Sequence, residues 1–175
     1  FKIDFLEPVE ILIFGAVRVD KSIPEFINKL ASNKKSHQFN ITIAGKVYDD
    51  SLRSCVLPEN VTIIDKFLEV EELEKIAERS HFFLVPYGAS YAGGAGPAKD
   101  ATSYGKPVIV SDLPIFDDFL ANDFVMPFDS FESFEKIVKD MSSSKYDQMC
   151  LLSHAYSRDN NWSKIKSLYE RVIAS

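Results

Sequence analysis

Apolar and polar positions along this chain fall into short blocks of two alternating kinds. Residues 9–15, Val-Glu-Ile-Leu-Ile-Phe-Gly, are a β-branched run closed by glycine, which predicts a buried strand. Ile23, Phe26, Ile27 and Leu30 then recur at i, i+3, i+4 and i+7, the stripe of an amphipathic helix. Residues 39–44 predict a second strand, closed by Gly45, and residues 61–64 a third, preceded by the turn signal Pro58-Glu59-Asn60. Leu73, Ile76 and Ala77 mark a helix that opens with Glu69, Glu71 and Glu72, carboxylates suited to the positive end of its dipole. A fourth strand over 82–86 runs into a loop of small residues, Tyr87 to Gly96, and Pro97 occupies a favoured first helical position. Gly105-Lys106-Pro107 ends that short helix. Residues 108–110 and 124–128 predict strands five and six, with a short apolar helix around 115–120 between them. Two helical stripes finish the chain: Phe131, Phe134, Ile137, Val138 and Met141, then Trp162, Ile165, Leu168, Tyr169 and Val172, with Ser142-Ser143-Ser144 as the joint.

Strands alternating with helices predict a parallel sheet covered on both faces. Right-handed crossovers make this an α/β fold: a doubly wound, Rossmann-like sheet of about six strands with a helical C-terminus. The 175 residues fit one domain spanning 1–175, with no need of a disulfide or metal staple. The start at Phe1 rather than Met predicts a piece of a longer protein. A net charge of −6 argues against a nucleic-acid backbone as the main partner, and no apolar run reaches the roughly 20 residues of a membrane span. Cys55 and Cys150 have no zinc or disulfide-framework spacing and read as reduced thiols of a cytoplasmic protein. His37, His81 and His154 lack partner spacing for a metal or a triad; His81, just before a buried strand, reads as structural. Fourteen Phe predict a large core or flat ligand surfaces.

Doubly wound sheets bind ligands at the carboxyl ends of their strands, near the point where strand order reverses. After strand one stands Gly15-Ala16-Val17-Arg18-Val19-Asp20-Lys21-Ser22: a glycine followed by two cations, either a phosphate seat or a solvated loop. The Gly-x-Gly-x-x-Gly of a dinucleotide site is absent, and Gly45-Lys46 stands where such a site carries an acid after strand two. After strand four, side chains nearly vanish from Ala92 to Ala98. That leaves backbone N–H groups accessible to an anion at a helix start, with Asp100 one turn in as a hydroxyl ligand. The plainer alternative is a surface loop with Asp100 compensating a dipole.

In this order and spacing the landmarks resemble the carboxy-terminal, nucleotide-sugar-binding half of a GT-B glycosyltransferase, similar to glycosyltransferase family 4 (group 1). The segment 14–21 resembles the family's Phe-Gly-x-Ile-Arg-x-x-Lys-Gly, with Ser22 in place of the final Gly. Ile43-Ala44-Gly45, Asn60-Val61 through Phe67 to Glu72-Leu73, Pro86-Tyr87, residues 105–109 and Ser111-Asp112 match the later landmarks. The resemblance implies that Arg18 and Lys21, with Gly15, neutralise the donor diphosphate, and that amides around Ala95 and Gly96 cradle its distal phosphate. It implies that Gly45, Lys46, Lys66, Phe67 and Leu68 border the base. Asp100 falls on the second Glu of the Glu-x7-Glu motif, a ribose ligand; the first Glu, which contacts the sugar, falls on Ala92.

The implied protein is a retaining, metal-independent transferase with no cofactor. Its acceptor would be a glycan or a lipid-linked glycan, bound by an amino-terminal domain outside this chain. Peripheral contact with the cytosolic membrane face would come through that same domain, and this chain alone would bind nucleotide without turnover. Two other expectations stay open: a degenerate GT-B half serving as an interaction or regulatory module, suggested by Ala92, and a nucleotide-sugar epimerase on the same fold.

Overall fold

The computed structural model describes residues 8–33, 38–91, 93–94, 96–161, 164, 166 and 170. The elements in chain order are β1 (Val9–Phe14), α1 (Ile23–Ser32), β2 (Phe39–Ala44), α2 (Asp50–Arg53), β3 (Val61–Ile64), α3 (Val70–Arg79), β4 (Phe82–Val85), α4 (Gly96–Asp100), β5 (Val108–Ser111), α5 (Asp117–Leu120), β6 (Val125–Phe128), α6 (Phe131–Lys139) and α7 (Ser143–Asp159). Every strand pair is parallel, and the strands lie in the order β3-β2-β1-β4-β5-β6. This is the expected doubly wound α/β sheet, and its order reverses between β1 and β4.

The apolar runs of the strands are explained by their burial. Ile11, Leu12, Ile41, Ile43, Phe82, Phe83, Leu84 and Ile109 are all buried, as in sheets with both faces covered; each such side chain contributes about 1.5–3 kcal/mol. One group of helices, α1, α2 and α6, packs together, while α3, the 3-10 turn Ala101–Tyr104 and α7 form a second group. Phe26 of α1 sits among Phe128, Phe131 and Phe134, with ring centroids 6.1, 5.6 and 5.0 Å away. In the second group Tyr146 of α7 meets Phe82 edge-on at 5.5 Å, and Tyr104 stacks on Phe83 at 5.5 Å. The phenylalanines therefore build core. Among the described residues Phe67 is the one left largely exposed, at 75%.

His81 has the structural role expected of it. Its Nδ1 accepts the Glu10 N–H at 2.9 Å, its own N–H donates to the Glu10 carbonyl at 2.8 Å, and the Tyr146 hydroxyl donates to its carbonyl at 2.9 Å. It ties β1, β4 and α7 at the amino edge of the sheet, opposite the edge where ligands are expected.

Two helical pieces were not legible in the pattern. Residues 19–21 form a 3-10 turn rather than a loop, and 50–53 form α2. Both are shorter than the two turns over which a helical stripe becomes visible, and α2 is set by its cap: the Asp49 carboxylate accepts the Ser51 N–H at 3.0 Å. The serine joint is also a cap, since Ser142 accepts the Lys145 N–H and α7 starts at Ser143. The final stripe of Trp162, Ile165, Leu168, Tyr169 and Val172 lies outside the described residues, as do His37, Ala92 and Ala95.

At the carboxyl edge, the chains leaving β1 and β2 run together. The Gly15 N–H donates to Ala44 O at 3.0 Å, Val17 N–H to Lys46 O at 2.9 Å, and Tyr48 N–H to Val17 O at 2.8 Å. This close pairing requires glycine at 45. Its φ is +149°, and a Cβ there would stand 2.2 Å from the Gly15 carbonyl oxygen. Gly45→Ala is expected to destabilise the fold by more than about 2 kcal/mol in urea denaturation; a change below about 0.5 kcal/mol would contradict the packing role.

Candidate functional site

The site lies where the loops after β1 and β4 face each other across the reversal in strand order. Lys21 ends the 3-10 turn after β1 and is 6% exposed, unusual for a lysine. Its Nζ lies 3.6 Å from the point where a Cβ on Gly15 would stand, and the Pro97 ring of α4 lies 3.6 Å from the same point. The Tyr87 ring is 5.3 Å from the ammonium. Among the described residues no carboxylate forms an ion pair with it. Burial first, then repulsion from Arg18, lowers the Lys21 pKa to about 8, against an opposing pull from Asp20.

Arg18 stands at the rim instead. Its guanidinium grips Asp20 through two bonds, Nη2 at 2.8 Å and Nε at 3.3 Å, and borders an open hollow with Val19, Tyr48 and Ser90. The expected cation pair is therefore asymmetric: one charge is buried without a carboxylate partner, the other exposed and already paired.

The loop after β4 is tied down rather than loose. Gly88 N–H donates to Asp20 O at 3.2 Å, Tyr91 N–H to Gly88 O at 3.0 Å, and the Tyr91 hydroxyl to Gly94 O at 3.0 Å. The Tyr91 ring lies 4.0 Å from that of buried Tyr87, whose phenol is pushed up by burial. The glycines at this edge divide by what surrounds them. A Cβ on Gly88 would meet Ser22 Oγ at 2.3 Å, so that glycine serves close packing of the two loops, whereas a Cβ on Gly94 or Gly96 would meet nothing within 4 Å. Gly94 and Gly96 therefore border open space that packing does not demand, whereas Gly93 sits against the Tyr91 ring, whose hydroxyl would stand 2.4 Å from a Cβ there.

Of the remaining candidates, Asp100 closes α4, its carboxyl pKa raised by partial burial. Lys46 is paired with Asp65 at 3.1 Å, and Lys66 with Glu72. Phe67 projects into solvent beside partly buried Leu68. Gly15, Lys21 and the start of α4 thus come together, while Gly45 and Lys46 serve the junction of β1, β2 and β3.

Sequence reasoning missed Asp65, Tyr87 and Tyr91 as organising residues. Asp65 accepts the Val47 N–H at 2.9 Å and pairs with Lys46 and Arg53, which together lower its pKa to about 2. Only the Pro86-Tyr87 landmark hinted at any of this. A second cleft at the carboxyl edge, about 320 Å³, is lined by Ser22, Tyr87, Gly88 and Ser130 together with Glu25, Lys29, Asp112 and Asp129. Three carboxylates against one lysine make it a poor seat for an anion. Among the described residues no group of three or more His, Cys, Asp or Glu side chains is placed to hold a metal ion, and no helix is long and apolar enough to cross a membrane.

No family model matches the sequence, and no curated protein matches it. Solved structures do. The crystal structure of Anabaena Alr3699/HepE in complex with UDP and glucose superposes with a TM-score of 0.77 at 12% identity, over 97% of this chain and 49% of that one. The fold is that of a GT-B C-terminal domain. The C-terminal domain of a glycosyl transferase group 1 family protein, LpcC from Francisella tularensis, matches with a TM-score of 0.65 at 16% identity, over 91% of this chain and 90% of that domain. An E. coli structure described as trehalose-6-phosphate bound with UDP-2-fluoro glucose gives 0.65 at 14%, over 91% of this chain and 42% of the other. This chain spans about half the length of the Anabaena protein.

Two outcomes follow for the site's scaffold. Ser22 takes left-handed angles, φ 49° and ψ 27°, where the resembling motif has glycine. Ser22→Gly should stabilise the chain by about 0.5–1 kcal/mol in urea denaturation, and a loss of stability would show that the strain is compensated. The Asp65 carboxylate has a lowered folded-state pKa, so its contribution is complete above about pH 4, its unfolded value, and is lost as pH falls toward 2. Asp65→Asn should therefore flatten the pH dependence of stability between pH 4 and 2; an unchanged slope would remove Asp65 from the acid response.

Proposed function

We propose that this chain is the donor-binding half of a nucleotide-sugar-dependent glycosyltransferase, resembling family 4. It binds a nucleoside-diphosphate sugar, and a second domain supplies the glycan or lipid-linked acceptor. The observation that carries this reading is Lys21, a buried ammonium with no carboxylate partner among the described residues, facing Gly15 and Pro97 where strand order reverses. Burying an unpaired charge is expensive unless an anion completes it, and a diphosphate fits a cation bordered by bare backbone.

In this reading Lys21 holds the diphosphate and Gly96 leaves room for it. Arg18 turns from Asp20 to the departing nucleotide as charge develops there. Phe67 and Leu68, with Lys66 nearby, offer a surface for the base, and Asp100 accepts from ribose hydroxyls. Ala92 carries no carboxylate where the resembled motif has its first Glu, so sugar recognition falls to other residues. No metal or cofactor is invoked; the chemistry is the departure of a nucleoside diphosphate stabilised by the Lys21 and Arg18 cations.

A second reading, a degenerate half acting as an interaction module, is favoured by Ala92 together with the commitment of Arg18 to Asp20. Isothermal titration with UDP-, GDP- and ADP-glucose separates the two, because the first reading expects binding of at least one donor and the second expects none at millimolar ligand. Lys21→Met is expected to abolish that binding while raising unfolding stability by about 1–2 kcal/mol, since a buried unpaired cation is exchanged for an apolar side chain of similar length. Binding that survives the substitution would remove Lys21 from the site.

A further inference from the structure

We infer that donor binding carries a proton with it: Lys21, buried against Gly15, Pro97 and the Tyr87 ring with no carboxylate in contact, takes up a proton as the diphosphate seats beside it. The inference rests on the donor-binding reading above and concerns how that site is regulated. Its basis is the charge geometry around one nitrogen. The charged and titratable groups on the elements packed around Lys21 are Arg18 and Asp20 on its own turn, Glu25 and Lys29 on α1, Tyr87 and Tyr91 after β4, and Lys99 and Asp100 on α4. Asp20, the acid on its own turn, is gripped through both oxygens by Arg18. Arg18 itself repels the ammonium. In the next loop Lys46 is already neutralised by Asp65. The Tyr87 ring offers a quadrupole, which is much weaker compensation than a carboxylate.

The protein thus surrounds this amine with burial and a like charge, offset in part by Asp20, and leaves the rest of its stabilisation to something from outside. The consequence is a lysine half deprotonated near pH 8, two to three units earlier than a free side chain. A diphosphate diester brings two negative charges to within contact of the amine and shifts that balance back. Linkage makes the coupling reciprocal: if the ligand favours the protonated amine, protonation favours the ligand. The nucleotide sugar has no titrating phosphate in this range, so the proton must come from solvent to the protein.

The test is titration calorimetry of the 175-residue chain with UDP-glucose, GDP-glucose and ADP-glucose in pairs of buffers that differ in ionisation enthalpy. At pH 8.5 the binding heat should depend on buffer, with an uptake of about half a proton or more per site, falling below about a tenth at pH 6.5. Affinity should weaken about fourfold between pH 7 and 8.5. In Lys21→Arg, whose guanidinium stays charged, whatever binding remains should show neither effect. Carbon-13 labelling at the lysine ε position gives a second readout that needs no folded variant at every pH: the Lys21 signal should titrate near pH 8 in the free chain and move upward with donor. Binding with no proton exchange and a flat affinity, or a Lys21 signal that donor does not move, overturns the proton coupling and leaves the donor site standing. No binding of any of the three donors at any pH overturns the donor reading itself.

Discussion

The carboxyl edge of this sheet is organised around a single electrostatic constraint: an ammonium held inside the protein without a carboxylate against it. Lysines are rarely buried, and when they are the usual remedy is a paired acid or loss of the proton. Among the described residues Lys21 has no ion-paired acid, but an aromatic face at 5.3 Å and a glycine whose missing side chain gives it room. A Cβ on Gly15 would sit 3.6 Å from the ammonium, in ordinary contact, and would close the space that Lys21 shares with Pro97. The charge therefore faces a concavity made of backbone, and its destabilising effect on the fold is the counterpart of its fitness for an anion.

Such a charge stays in place only if the loops around it cannot relax. Three independent ties hold them. Gly45 lets the chains leaving β1 and β2 approach to within a backbone contact, Gly88 lets the loop after β4 press on Ser22, and Asp65 binds the loops after β2 and β3 to Arg53 of α2. Ser22 accepts a left-handed conformation as part of this arrangement. Of these three ties Gly45 alone takes a positive φ, which a side chain would strain.

The sheet was legible in the sequence because every strand is a continuous apolar run bounded by turn residues, and because α1, α3 and α6 carry full amphipathic stripes. The pieces that escaped were those too short for periodicity, α2 and the 3-10 turn at 19–21, which owe their form to a cap and to hydrogen bonds between loops. At the candidate site, Gly15, Lys21 and Gly96 were singled out from the placement of glycine and lysine at strand ends, and Lys21 Nζ and the Pro97 ring next to Gly96 both lie against Gly15. What could not be read was partnership. The string Arg18-Val19-Asp20-Lys21 does not say which cation the aspartate takes, and the answer depends on a turn that points Arg18 outward and Lys21 inward. Nor does Asp65, one acid among twenty-six acidic residues, announce that it will collect a backbone N–H and two cations.

That division between the two cations bears on how the site would work. A buried lysine and an exposed, paired arginine answer different demands. The lysine lies in low dielectric, where each contact with an anion is strong, and its geometry is fixed by packing before any ligand arrives. The arginine sits in solvent, its charge largely offset by Asp20, and reaches an anion only by exchanging one carboxylate for another acceptor. Exposed pairs of this kind are worth about 0–1 kcal/mol, so the exchange is easy in either direction. Affinity for a diphosphate would then reside in Lys21, which cannot move, and response to charge developing during reaction in Arg18, which can. A site with two buried lysines would bind the nucleotide more tightly at both the start and the end of the reaction, and would release it more slowly. One immobile and one exchangeable cation avoid that penalty.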